Sequence, residues 1–286
     1  MSSVNASEAR NLFGWAVTPD AGAGVSSGED TDMMKLISIC ALLALAAGCL
    51  VFPMGAREEE TFSYQGIDQV EVKGEFLAVE VTTGDGLSVS MTSDLPEDSA
   101  LSPRNYGVKH EVIGSRLSVW VEKDPGTWTI GQSGRLLFTI PQGTDLAVET
   151  VSGSARVDGL ETTSLRVGSV SGSLTLSSIR APLLVTNVSG SVSIDGFDGT
   201  LSANTVSGAI ECREMTLAGD SDLSSTSGAI SVQFASPLQD YRFELSSVSG
   251  SLAVGSIMAQ KGLRVGSGAI RVRVRGETVS GSQSYR

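Results

Sequence analysis

Seven times the chain writes Ser-Gly inside the same short frame: "VSGSARV", "VSGSLTL", "VSGSVSI", "VSGAIEC", "TSGAISV", "VSGSLAV" and "GSGAIRV". The glycines are Gly153, Gly172, Gly190, Gly208, Gly228, Gly250 and Gly268, spaced 19, 18, 18, 20, 22 and 18 residues apart. A unit of this length cannot bury an apolar face alone, so each copy must pack against the next. A partial eighth copy, "VSGS" at Val279–Ser282, follows after only 13 residues.

The frame alternates. Two residues past each glycine stand Ala155, Leu174, Val192, Ile210, Ile230, Leu252 and Ile270. Four past stand Val157, Leu176, Ile194, Cys212, Val232, Val254 and Val272, with mostly polar residues between the two columns. That is the pattern of a strand with one buried face. A second strand precedes each corner, with Val148, Val167, Val185, Ala203, Leu223, Leu245 and Leu263 five residues before the glycine. Seven before, the column reads Leu146, Leu165, Leu183, Leu201, Ser221, Phe243 and Lys261. No 3.6-residue pattern competes, and glycine recurs in every window. The fold class is all-β: a parallel β-solenoid of about seven regular rungs over residues 146–286, with an irregular β portion before it.

In this reading the tetrapeptide is a corner. Glycine permits positive φ and close approach between rungs. The preceding serines, Ser152 through Ser267, are expected to hydrogen-bond up the column. Cys212 reads as a small buried hydrophobe. Residues 61–145 supply irregular strands and N-terminal coils, and hold His110, Trp120 and Trp128. The loop "LPEDSALSPRNYG", Leu95–Gly107, is the longest insertion and the natural place for specificity. In "AIRVRVRG", Ile270, Val272 and Val274 point inward, and Arg271, Arg273 and Arg275 outward, protecting an exposed terminal strand from aggregation.

Ahead of these strands, residues 1–32 read as an over-extended start and 33–48 as a bacterial signal peptide of lipoprotein type. "MMKLISICALLALAAGC" pairs one basic residue with an apolar run and ends in a lipobox-like "LAAGC". Leu45 sits one place early, with Ala46 where leucine is usual. Cys49 is the expected lipidation site, and residues 49–60 form a linker. The uncharged run Leu36–Met54 also has the length of an uncleaved anchor, and a non-lipid cut near Ala56 is a third reading. The partner expected is therefore a membrane, through a lipid anchor or the apolar segment.

The formal net charge of −12 disfavours nucleic acid, which requires a basic face. The three cysteines, two of them in the leader, make no disulfide framework. There is no P-loop, dinucleotide fingerprint, C-x-x-C or H-E-x-x-H, and Asp158, Asp195 and Asp198 do not recur at a calcium-repeat offset. No cofactor or metal is implied. "NVS" at Asn187 is a nominal glycosylation sequon set in a repeat corner.

The leader, the junction "LLFTIPQGTDLAVETVSGSARVDGL" and the successive "VSG[SA]" turns resemble a bacterial putative-adhesin family of β-strand-repeat domains of otherwise unknown function. The resemblance covers residues 60–282 and implies an exported β-solenoid with no catalytic motif to carry over. The function expected is a membrane-anchored cell-envelope protein, on an outer-membrane, periplasmic or surface face. Its role is non-catalytic adhesion or scaffolding, with an envelope polysaccharide or protein as ligand. Two alternatives stand beside it. One is a carbohydrate-active β-helix enzyme using Asp158, Arg156 and Lys109; the other is a structural protein that polymerises end to end.

Overall fold

The computed structural model describes residues 59–93, 106–123, 134–267 and 271–286; the expectations for the leader and Cys49 lie outside them. Two-residue alternation drives each element, because it gives a strand one face to bury. The first are β1 (Glu59–Tyr64), β2 (Gln69–Glu75), β3 (Ala78–Thr83) and β4 (Leu87–Ser93). Next come β5 (Tyr106–Ile113), β6 (Arg116–Lys123) and β7 (Gly134–Ile140). The regular periods begin with β8 (Asp145–Thr150), β9 (Ala155–Asp158), β10 (Leu165–Ser169) and β11 (Leu174–Arg180). They continue through β12 (Leu183–Asn187), β13 (Val192–Gly199), β14 (Leu201–Thr205) and β15 (Ile210–Leu217). β16 (Ser221–Ser225), β17 (Ile230–Phe234), β18 (Tyr241–Ser247) and β19 (Leu252–Val254) follow. The last are β20 (Ile257–Ala259), β21 (Gly262–Val265), β22 (Val272–Thr278) and β23 (Gln283–Tyr285).

Each period gives one strand to each of two sheets. The first has 12 strands, ordered β1-β4-β7-β3-β9-β11-β13-β15-β17-β23-β19-β20. The second has 11, ordered β21-β18-β22-β16-β14-β12-β10-β8-β2-β6-β5. Interior neighbours are parallel and in register: Leu165 stands between Leu146 and Leu183, and Leu174 between Ala155 and Val192. The result is all-β and solenoid-like, with the core between the sheets. Of the inward columns read from sequence, every described position from Ala155 to Leu252 and from Val157 to Val254 is buried. At the outer margins the pairing reverses: β5 on β6, β4 on β7, β1 on β4, β21 on β18 and β20 on β19 are all antiparallel.

The corners are held by backbone. Ser171 N–H donates to the Val151 carbonyl at 2.7 Å. Ser189 to Val170, Ser207 to Val188 and Ser227 to Val206 repeat the contact at 2.8 Å. The expected ladder of serine hydroxyls is not what closes the turn, since these side chains face solvent, although Ser249 Oγ does donate to the Val279 carbonyl of the next corner at 3.5 Å. The glycines are required by proximity. A Cβ on Gly208 would overlap the Gly190 carbonyl oxygen, and one on Gly228 would overlap that of Gly208. Among the described corner glycines only Gly190 has positive φ. The left-handed backbone sits instead six residues past the corner, at Gly159, Ser178, Gly196 and Glu214. Ser178, Gly196 and Glu214 lie inside β11, β13 and β15, whose parallel pairing resumes one residue beyond them, and Gly159 directly follows β9.

The order of the stack departs from the order of the chain. The corner next to Gly228 is not Gly250 but Gly281, whose Cβ would overlap the Gly228 carbonyl; Gly250 in turn abuts Gly281. β22 lies between β16 and β18, and β23 between β17 and β19. The arginine strand is therefore interior, correcting its assignment as an exposed terminal strand. Val274 is buried and Arg275 exposed, as the alternation requires, while Val272 is half-buried. Gly268 and Ile270 lie outside the described residues. At the other margin the same displacement occurs, with β2 and β3 lying between the pair β8/β9 and the pair β6/β7.

These contacts separate two kinds of backbone demand. Gly208→Ala should destabilise the protein by about 1–3 kcal/mol through forced displacement of the neighbouring corner. Glu214→Gly, at φ 51, should relieve a left-handed strain of about 1–2 kcal/mol, partly offset by glycine's unfolded-state entropy. Denaturant midpoints of the two variants should move in opposite directions.

Candidate functional site

Every corner presents the same surface. Two residues before each glycine is an outward side chain: Val151, Val170, Val188, Val206, Thr226, Val279 and Val248 in spatial order. Val151, Val170, Val188, Val206 and Val279 are each 45–47 % exposed, and Val248 is 70 % exposed. Isolated exposed valines need no explanation, but a contiguous column of them marks a surface that can be covered. Beside it the outward positions of the 11-stranded sheet are small or polar: Glu149, Gly168, Thr186, Asn204 and Ser224. Gly168 and these short side chains leave a trough of about 610 Å³ running across the strands against the valines, with Lys73 and Glu75 at one end. It repeats at the strand spacing of about 4.8 Å. Apart from Lys73, Glu75 and Glu149, its lining is uncharged.

Under this surface lies a second column that the sequence reading passed over. Three residues before each corner glycine stand Thr150, Ser169, Asn187, Thr205, Ser225, Thr278 and Ser247, all buried. From Ser169 onward these side chains serve the corner, whereas Thr150 Oγ1 is unpartnered and the Gly153 N–H goes to the Glu75 carbonyl at 3.2 Å. Ser169 Oγ accepts the Gly172 N–H at 2.7 Å, Ser225 Oγ that of Gly228 at 2.7 Å, and Thr205 Oγ1 that of Gly208 at 3.1 Å. Asn187 instead donates through Nδ2 to the Gly190 carbonyl at 2.7 Å, and Thr278 through Oγ1 to that of Gly281 at 2.9 Å. The sequon asparagine is thus a buried structural group. The signal was present, since the column is Ser, Thr or Asn at every one of these corners, whereas Gly268 has Val265 at that offset.

The proposed acid-base trio is not assembled. Arg156 and Asp158 lie on β9 of the 12-stranded sheet. Lys109 lies on β5, the outermost strand of the other sheet, where its Nζ is 3.6 Å from Glu122. The single histidine, His110, packs against Phe62 and Tyr64 with centroids 4.6 and 5.7 Å away. Burial, with the Glu211 carboxylate adding to it, pushes the Cys212 thiol up to about 12, so it stays protonated and inert. The charged cluster nearest to a site is Arg180 between Glu161 and Asp198, at 3.0 and 3.6 Å. All three are well exposed, and such pairs contribute little. Among the described residues no group of three or more His, Cys, Asp or Glu is placed to hold a metal. Trp120 is half-buried on β6, while Trp128 and the loop from Leu95 to Asn105 lie outside the described residues.

Stacked parallel periods, small corners and an open trough define a repeat-type all-β domain with an open groove rather than an enclosed pocket. The chain belongs to the Toastrack DUF4097 family, whose model matches residues 109–271, more than half of the sequence. No curated protein sequence matches it. Among solved structures, a putative adhesin from Bacteroides fragilis is 13 % identical. That alignment covers 82 % of this chain and 99 % of the other, with a TM-score of 0.50, a likeness of fold alone. A putative lipid binding protein from Parabacteroides distasonis is 16 % identical over 81 % of this chain and 97 % of its own, with a TM-score of 0.44.

The two serine columns should respond differently to truncation. Ser225→Ala leaves the buried Gly228 N–H without its acceptor and should cost about 1–3 kcal/mol. Ser227→Ala removes only an exposed hydroxyl and should stay within about 0.5 kcal/mol. Chemical denaturation of the two variants reads the difference.

Proposed function

We propose that the protein is an exported, membrane-anchored member of the cell envelope whose role is non-catalytic adhesion or scaffolding. The observation that carries this reading is the valine-lined trough, which repeats one uncharged contact set from level to level. A surface of that kind suits an extended ligand lying across several periods. It does not suit a small substrate, which ordinarily has most of its area enclosed. General acid-base chemistry needs partners within hydrogen-bond reach. In the trough the carboxylates, Glu75 and Glu149, gather at one end beside Lys73. For the carbohydrate-active alternative, lyase or hydrolase, Asp158 and Arg156 lie on one sheet and Lys109 on the other, so this trio supplies no assembled acid-base group. The antiparallel strands at both margins interrupt the parallel period, so the repeat itself does not continue from one copy into the next. The membrane arm of the proposal rests on the "LAAGC" leader, and an envelope polysaccharide or protein remains the ligand class.

Two measurements test it. Residues 57–286 should bind a member of an envelope polysaccharide panel without turnover. Binding should weaken when Val170 and Val188 are both replaced by Asp. Hydrolysis or β-elimination abolished by a single Asp or Arg substitution would overturn the non-catalytic reading. Fatty-acid labelling in a bacterial host should mark the wild type and not Cys49→Ser; unlabelled, membrane-free wild type would overturn the anchor.

A further inference from the structure

The displaced order of the last strands carries a consequence for how copies of this chain meet. β22 and β23 fill a slot whose walls are β16/β17 on one side and β18/β19 on the other. The segment is keyed to that slot. Gly276 occupies the column otherwise held by Leu223 and Leu245, and a Cβ there would overlap Gln283 Oε1 and Tyr285 OH. The vacated volume admits Gln283 and Tyr285, each at most 1 % exposed, where the neighbouring levels carry Ile230 with Leu252 and Val232 with Val254. Tyr285 OH donates to Gln283 Oε1 at 3.2 Å, and Gln283 Nε2 donates to the Ser246 carbonyl at 2.8 Å. On the outer face Asp220 takes the Arg273 N–H at 2.9 Å and its guanidinium at 3.0 Å. No other period of this sequence combines a glycine at that offset with Gln and Tyr beyond the corner.

The walls of the slot are also complementary to each other. Leu223 faces the level of Leu245 across Gly276, and Ile230 that of Leu252 across Gln283. Gly228 and Gly250 stand likewise on either side of Gly281. Both walls therefore pair with the segment in one common parallel register, and an identical segment from another chain meets the same two partners. The link between β17 and β18, residues 235–240, lies within the longest glycine spacing, the 22 residues that step over the inserted level.

We propose that this slot is a strand-acceptor site and that its second occupant is the 272–285 segment of another copy of this chain. The contacts made in trans are then identical to those made in cis, and two copies join by reciprocal exchange. Within one chain the covalent link favours the closed form. Exchange therefore needs transient withdrawal and a high local density of copies.

Register-specific cross-linking tests this on the full chain carrying Cys40→Ser and Cys49→Ser. In the parallel sheet Ser284 is aligned with Ser231 on one side and Ala253 on the other, at a neighbour spacing of about 4.8 Å, within disulfide range. Ser193 shares the outward column but lies several levels away. Full-length Ser284→Cys is mixed at high concentration with mass-labelled Ala253→Cys, Ser231→Cys or Ser193→Cys protein. Each mixture is brought to its denaturation midpoint, returned to native conditions and oxidised. Labelled heterodimer from the 253 and 231 mixtures, absent from the 193 mixture, is the expected result. Equal heterodimer in all three, which is random collision, or heterodimer in none, would overturn the proposal. A single chain carrying both Ala253→Cys and Ser284→Cys should close an internal disulfide; its failure to do so would remove the slot itself.

Discussion

The approach of one corner glycine to the carbonyl of the corner beneath it is the contact on which the remaining architecture depends. With Gly208 seated against Gly190, the Ser207 N–H reaches the Val188 carbonyl at 2.8 Å, so the inter-level ladder extends into the turn as far as the serine, and the Gly208 N–H turns to Thr205 Oγ1 of its own level. Successive periods are thereby held parallel and in register. The alternating side chains then fall into columns, each inward residue meeting its like above and below. A larger residue at one corner would lift one level from the next and misalign both sheets. The buried Ser, Thr and Asn column works with this contact. From Ser169 onward it satisfies corner N–H and carbonyl groups that burial would otherwise leave unpaired.

How much of this is legible in the sequence depends on whether a feature repeats. The inward columns from Ala155 to Leu252 and from Val157 to Val254 follow from alternation alone, because a strand with one wet face admits no other reading. The corners follow from the period. The order of the stack does not, and the reason is degeneracy: Leu223, Gly228 and Ile230 match Leu245, Gly250 and Leu252 as well as they match their true neighbours. Nothing local distinguishes the two arrangements. What distinguishes them is the 22-residue spacing and the offset column, which reads Thr278 before Gly281 but Val265 before Gly268. Gly276, Gln283 and Tyr285 each look like a defect in the pattern when taken singly, and become intelligible only as a set that shares one volume.

The candidate site was half legible for a related reason. The outward serines were visible as a column, but their role is taken mainly by backbone amides, and the side chains that bond the corner lie two residues before them. The exposed valines were written into every "VSG" and read as turn residues, since periodicity reports which residues recur and not which face solvent. The trough arises where that column meets short side chains such as Gly168, Thr186 and Ser224, a three-dimensional adjacency between positions two residues apart on a bent backbone. The trio Asp158, Arg156 and Lys109 failed because no period related its members; two sit on one sheet and the third on the far margin of the other. A surface built from a repeat can extend one weak contact over many levels, which is what adhesion to an extended ligand requires.

Residue-resolved native-state hydrogen exchange reads the corner ladder directly, because it reports each turn amide separately from the strands it joins. The amides of Ser171, Ser189, Ser207 and Ser227 should exchange as slowly as those of the central strands, opening only with the whole stack. Ser280, donating to the Thr226 carbonyl at 2.8 Å, should share that protection if β22 and β23 occupy the interior. Corner amides that exchange at the rate of ordinary surface turns, while the strands on either side remain protected, would contradict the account.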